Sequence, residues 1–319
     1  MRFIFAKTKY IISFVMIVIA LFIIVLPSNA NEEKILNQPM RVRSSMADEA
    51  KQKMEDVKAY FGEADGSVQA LAKKIANKTP ITAEEVKALP EGALNARYNY
   101  EMTLLFFATA QYNLQAIDVL LAAGADPYMV DRPSHKSVHD FTFYITDMTT
   151  RGTYEETMKF RTELMRLYLK NGGDPNHELP STSRTHLLVS AILMRNIVGA
   201  RMLIDAGADP LKEEGTGLAA PTMLAIRRSE ESNKLLKDII CGGAYDNANE
   251  EQVENIIIYL RPLGPKDPVR EERHRKLAMY ILKRHPDYKD SMSSEMIFNG
   301  PIPWKTILET SDKELCDGK

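Results

Sequence analysis

Glycine recurs in this chain at a nearly constant pitch and in one setting. Gly172, Gly207 and Gly242 follow one another at steps of 35 residues, and Gly92 and Gly124 precede them with a step of 32. Each ends a short apolar run, and three are followed closely by Asp126-Pro127, Asp174-Pro175 and Asp209-Pro210. A glycine after a helical run supplies the left-handed residue that ends a helix, and a proline just beyond prevents its continuation. Between Gly172 and Gly207 lie two runs with helical spacing. One has Leu187, Leu188, Ala191 and Ile192, and the other Ala200, Met202, Leu203 and Ala206. The period predicts a unit of helix, turn, helix and extended loop. A unit this small buries its apolar face only against its neighbours.

The residues within the unit resemble a known family. The segments Leu120-Leu121-Ala122-Ala123-Gly124-Ala125-Asp126-Pro127, Leu169-Lys170-Asn171-Gly172-Gly173-Asp174-Pro175-Asn176 and Leu203-Ile204-Asp205-Ala206-Gly207-Ala208-Asp209-Pro210 are similar to the helix-to-finger junction of ankyrin repeats. The family's helix opening survives in degraded form at Thr103 to Phe106, Lys136 to His139, Thr185 to Leu188 and Thr222 to Ala225. His139 alone keeps the histidine, and no copy keeps the proline. The resemblance covers residues 88–245, about half the chain. It implies an all-α fold: an ankyrin-repeat solenoid of helix-turn-helix units with finger loops, about five or six repeats including divergent caps. It further implies a non-catalytic protein-binding module that uses fingers and inner helices, with no cofactor.

Residues 1–30 read as a targeting segment. Arg2, Lys7 and Lys9 precede an apolar run over residues 11–26, and Ser28-Asn29-Ala30 places small residues where a signal peptidase reads. The alternative is an uncleaved anchor, because about 16 apolar residues lie between the usual length of a signal core and that of a span. Either way the body is expected to be exported, periplasmic or anchored in the inner membrane facing the periplasm. Residues 31–47 read as a flexible linker and 48–91 as an N-terminal capping repeat. Repeats follow over 92–245, with an insertion at about 147–160. Residues 246–319 read as C-terminal capping helices and a tail. A leader joined to such a body resembles bacterial envelope ankyrin proteins. That resemblance implies another envelope protein as partner, with an immunity or protective role as the leading specific case. A membrane-tethered scaffold is one rival. An enzyme with a site near Glu271, His274 and His285 is another.

Charge excludes one class of partner. The formal net charge is −2, and loss of a leader with three basic and no acidic residues brings it to −5. Nucleic acid, which draws affinity from neutralised phosphates, is not expected. No metal site is expected either. His135 and His139 are four apart, but His139 falls on the family's structural position and no HExxH pattern is present. Asp126, Asp174 and Asp209 occupy one structural position in successive units, so they cannot converge on a substrate. Each is expected to accept bonds from nearby backbone N–H groups. His177 and His186 are expected to be solvent-exposed or to touch a partner. Cys241 and Cys316 could bridge in an oxidising compartment, or could stay a small buried hydrophobe and a tail thiol. The candidate partner-binding residues sit on the fingers: Tyr98, Tyr100, Arg132, His135, Arg184 and Glu213. Aromatics and arginine are what interface hot spots use. With the insertion they would form one binding face, unless the insertion, lying between the two helices of its unit, projects away from the fingers.

Overall fold

The computed structural model describes residues 46–129, 141–146, 153–179, 186–212, 219–227, 229–261, 267–290 and 303–316. These residues form an all-α structure. Among them, extended pairing is limited to a single bridge between Glu178 and His186. Residues 1–51 and 52–319 form separate compact units. Of the first, only the start of α1 (Met46–Phe61) is described.

The second unit continues from α1 as a succession of helical hairpins. They pair α2 (Gly66–Ala76) with α3 (Ala83–Lys87), α4 (Leu104–Ala110) with α5 (Leu114–Ala122) and α6 (Phe141–Thr146) with α7 (Tyr154–Lys170). Then come α8 (Leu187–Leu193) with α9 (Ile197–Asp205), α10 (Ala220–Ile226) with α11 (Glu230–Ile239), and α12 (Glu250–Leu260) with α13 (Pro268–Arg284). Polar caps start many of them. Thr82 with Glu85 and Thr153 with Glu156 form capping boxes, and Asn249 with Gln252 forms a third. The helices lie in two rows. First helices α2, α4, α6, α8, α10 and α12 each touch the next, and second helices α3, α5, α7, α9 and α11 do likewise. Apolar residues at helical spacing fill the space between rows. Leu104, Phe107, Ile117, Leu120, Phe141, Leu164, Ile192 and Leu203 are all fully buried.

Two kinds of turn recur. At the end of the second helix, Gly124, Gly172 and Gly207 take φ of 93°, 83° and 93°. In the last of these, Gly207 N–H donates to Ile204 O at 2.9 Å and Ala208 N–H to Leu203 O at 2.9 Å. This is the Schellman pairing, which satisfies two carbonyls left open at the helix end. The residue after the glycine is alanine at Ala125 and Ala208 but glycine at Gly173. There a Cβ would lie 2.4 Å from the Tyr168 ring, so the bulkier helix residue requires the second glycine. The same double bond forms between the two helices of a hairpin, but around a non-glycine left-handed residue: Lys78 (φ 54°), Tyr112 (φ 54°) and Arg195 (φ 61°). Asn113 and Asn196 follow directly and cap the second helix.

Three expectations change. The described part of the insertion, residues 153–160, is not set apart from the helix that follows: it extends α7 to 17 residues, against nine in each of α5 and α9. The left-handed glycine at this helix end is Gly243 (φ 88°) and not Gly242, because a π-turn over Ile240–Ala244 adds one residue to the helix end. His186 is not exposed: it is buried as the residue before α8, beside Glu178.

The C-terminus folds back. Short helices α14 (Trp304–Glu309) and α15 (Asp312–Cys316) pack on α13 and bury Ile307 and Leu315. Cys241 and Cys316 form a disulfide with Cα atoms 6.0 Å apart. Arg284 contacts Asp246 at 2.7 Å and Asp312 at 2.8 Å, with its guanidinium 3.5 Å from the centre of the Tyr280 ring. Among the described residues, no helix is long and apolar enough to cross a membrane.

Candidate functional site

The loops that join one hairpin to the next are held by side chains from the preceding unit. Asn95 donates to Gly124 O at 3.1 Å and accepts from Asp126 N–H at 2.8 Å. Asn176 repeats this on Gly207 O at 3.2 Å and Asp209 N–H at 2.7 Å. Tyr128 stands where Asn176 stands, two residues after the aspartate, and its hydroxyl accepts from Asp174 N–H at 2.7 Å. The aspartate carboxylates turn inward on their own loops. Asp126, Asp174 and Asp209 accept from the backbone N–H two residues on, at 2.8 to 2.9 Å. This is the Asx turn expected from the sequence, and it leaves these carboxylates engaged in shaping the loop.

The loop before α4 is the one whose candidate residues are described. Tyr98 is partly buried against Phe61, with ring centroids 5.1 Å apart, and its hydroxyl donates to Ala93 O at 2.8 Å. Burial, then the nearby Asp65, raises its pKa. Its side chain is therefore engaged within the fold. Tyr100 is different. It is 76% exposed, the most exposed large apolar side chain among the described residues. Tyr100 and Glu101 both take φ of 58°, a conformation costly for residues with a Cβ. The loop is closed by Tyr98 N–H on Met102 O (2.9 Å) and by the Arg97–Glu101 ion pair (2.9 Å). Asn99 ties it to Ala59 O at 3.1 Å. Tyr60 meets the Tyr100 ring edge-on at 6.1 Å. The result is a rigidly held aromatic with one face in solvent. Arg132, His135, Arg184 and Glu213 lie outside the described residues, as does His139.

Tyr60 is not among the sequence candidates; it lies within α1. The clasp residues Asn95, Tyr128 and Asn176 were also passed over. Their one signal was the shared position of Tyr128 and Asn176 two residues after an aspartate. His177, expected to be solvent-exposed or to touch a partner, is partly buried with its ring 4.6 Å from that of Tyr128.

The C-terminal histidines are not brought together. His274 is 3% exposed, and its Nδ1 lies 3.1 Å from Leu260 O. His285, eleven residues on at the end of α13, places Nε2 2.6 Å from Tyr245 O. At 1.5 Å per residue the two stand about 16 Å apart along the helix. Burial, and then the charge of Arg270, pushes His274 down to about 4. No group of three His, Cys, Asp or Glu residues that could hold a metal occurs among the described residues.

No protein-family model matches the chain. No curated protein matches it either.

Proposed function

We propose that the chain is an ankyrin-repeat solenoid of the cell envelope that binds another protein through its finger loops. The recurring glycine turns and the Asn95, Tyr128 and Asn176 clasps support the repeat reading, since successive units meet through equivalent atoms. The observation that carries the binding role is Tyr100. A solvent-facing aromatic on a backbone held in a costly conformation is a preorganised anchor of the kind hot spots use. Export is supported by the apolar run at residues 11–26 and by the Cys241–Cys316 bridge, which belongs to oxidising compartments. Within this class, an immunity or protective partner of a periplasmic protein is the specific reading.

A photo-crosslinking amino acid placed at position 100 of the full chain, in its native host, tests the proposal. The expected result is one discrete adduct with an envelope protein, absent when the label is placed at exposed Val198. Equal labelling from both positions, or none from position 100, would refute the finger site.

A further inference from the structure

The two ends of the α8–α9 hairpin differ in chemistry. Its finger end is closed by the amide of Asn176, whereas the opposite, inter-helix end carries two arginines. Arg195 sits exposed in the turn between α8 and α9. Arg227, at the end of α10, reaches back one unit and donates through Nη2 to Leu193 O at 2.8 Å, two residues before Arg195. Both arginines thus meet at the end of α8, Arg195 by its place in the chain and Arg227 by its side chain. Neither has a carboxylate partner among the described residues, and Arg227 Nε is buried without a hydrogen-bond acceptor. Burial, and then the charge of Arg195, depresses the Arg227 pKa, with the Tyr154 phenol acting in the opposite direction. A partly buried cation beside an exposed like charge is an arrangement that an anion would relieve.

The extension of α7 lies on this same end. Phe160 stacks on Tyr112, the left-handed residue of the α4–α5 turn, with centroids 4.3 Å apart. Thr162 donates to Asn196 Oδ1 at 3.1 Å, beside Arg195. Tyr154, at the start of the extension, is half exposed. The described part of the insertion therefore builds on the inter-helix end, and the single binding face expected from the sequence is divided in two.

We propose that the Arg195–Arg227 pair is a second docking site that takes an acidic polypeptide segment. A planar guanidinium fits a carboxylate in two-point geometry. An anionic bilayer recruits clusters of about four to eight basic residues, and a nucleic acid needs many neutralised phosphates. A single pair on a chain of net charge −2 suits neither. The site is independent of the Tyr100 finger.

A fluorescently labelled deca-glutamate peptide tests the site on the full-length chain at about 50 mM salt, with anionic phosphatidylglycerol vesicles and inorganic phosphate as separate probes. The peptide is expected to bind, and Arg195→Glu to weaken it by about tenfold or more without lowering the melting temperature. Lys78→Glu alters the equivalent turn residue of the first hairpin and is expected to leave binding unchanged. Absence of peptide binding, or equal weakening by Lys78→Glu, would overturn the proposal. So would Arg195-dependent binding of vesicles or phosphate in place of the peptide. Arg227→Lys keeps the charge but loses planar geometry. Its binding should fall while the fold persists, and unchanged binding by a folded Arg227→Lys would also count against the pair.

Discussion

Single residues in this chain owe their identity to backbone conformation and to burial. Gly207 is the clearest case of the first. A Cβ there would meet nothing within 4 Å, so space is not the constraint, but φ of 93° is. Gly207→Val is expected to lower stability by about 1–2 kcal/mol, more than a typical loop change, because a branched side chain resists the left-handed region. Urea unfolding checks it, and an unchanged midpoint would contradict the assigned turn. His274 is the case of burial. Its folded pKa of about 4 lies below the ordinary 6.5. The neutral imidazole therefore contributes stability that is fully present above pH 6.5. It is lost as pH falls from 6.5 towards 4, by at most about 3 kcal/mol, and no further loss comes from this group below 4. Arg270 and Arg273 on the same helix oppose protonation, whereas Asp267 and the Leu260 carbonyl favour it. Unfolding free energies measured from pH 7.5 to 4.5 should fall in the native chain and flatten in His274→Gln. A parallel fall in both would assign the slope to other groups.

At the scale of elements, the helices were legible because their apolar spacing and caps are local. Thr82 and Glu85, three residues apart, have the spacing of a reciprocal cap, and they form one at the start of α3. The links between units were not legible, since they join residues about 30 apart. Asn176→Ala removes one donor and one acceptor bond to the next finger and is expected to lower stability by about 1–2 kcal/mol. Thermal melts of Asn176→Ala against Asn176→Asp separate the two bonds, because aspartate keeps the acceptor to Asp209 N–H while losing the donor to Gly207 O. If alanine and aspartate behave like the native chain, the clasp is not a stabilising link. The packing of the start of α7 was not legible for a related reason. Phe160 has an aromatic partner in Tyr112 that only the stacked neighbour supplies.

Across residues 52–319, the final hairpin is closed by the returning tail. Cys241 and Cys316 are 75 positions apart, so their bridge restrains a long loop in the unfolded chain. Its removal by Cys241→Ala with Cys316→Ala is expected to reduce stability by about 2–5 kcal/mol. The melting temperature with and without reductant measures this, and the double variant should be insensitive to reductant. A native chain equally insensitive would show that the bridge does not form in solution. The bridge was undecided in sequence, because a cysteine in an alanine position of a helix end reads equally well as a buried hydrophobe. What the sequence alone determined was the local grammar: which runs are helical, where glycine must take positive φ, and which aspartates close their own loops. Those depend on contacts within a few residues. The one-residue shift to Gly243, the engagement of Tyr98 beside the exposure of Tyr100, and the meeting of Arg227 with the end of α8 were decided by the tertiary structure. Each depends on which neighbour arrives from a unit away, and a side chain's burial and partners are set by that neighbour and not by the residues beside it in the chain.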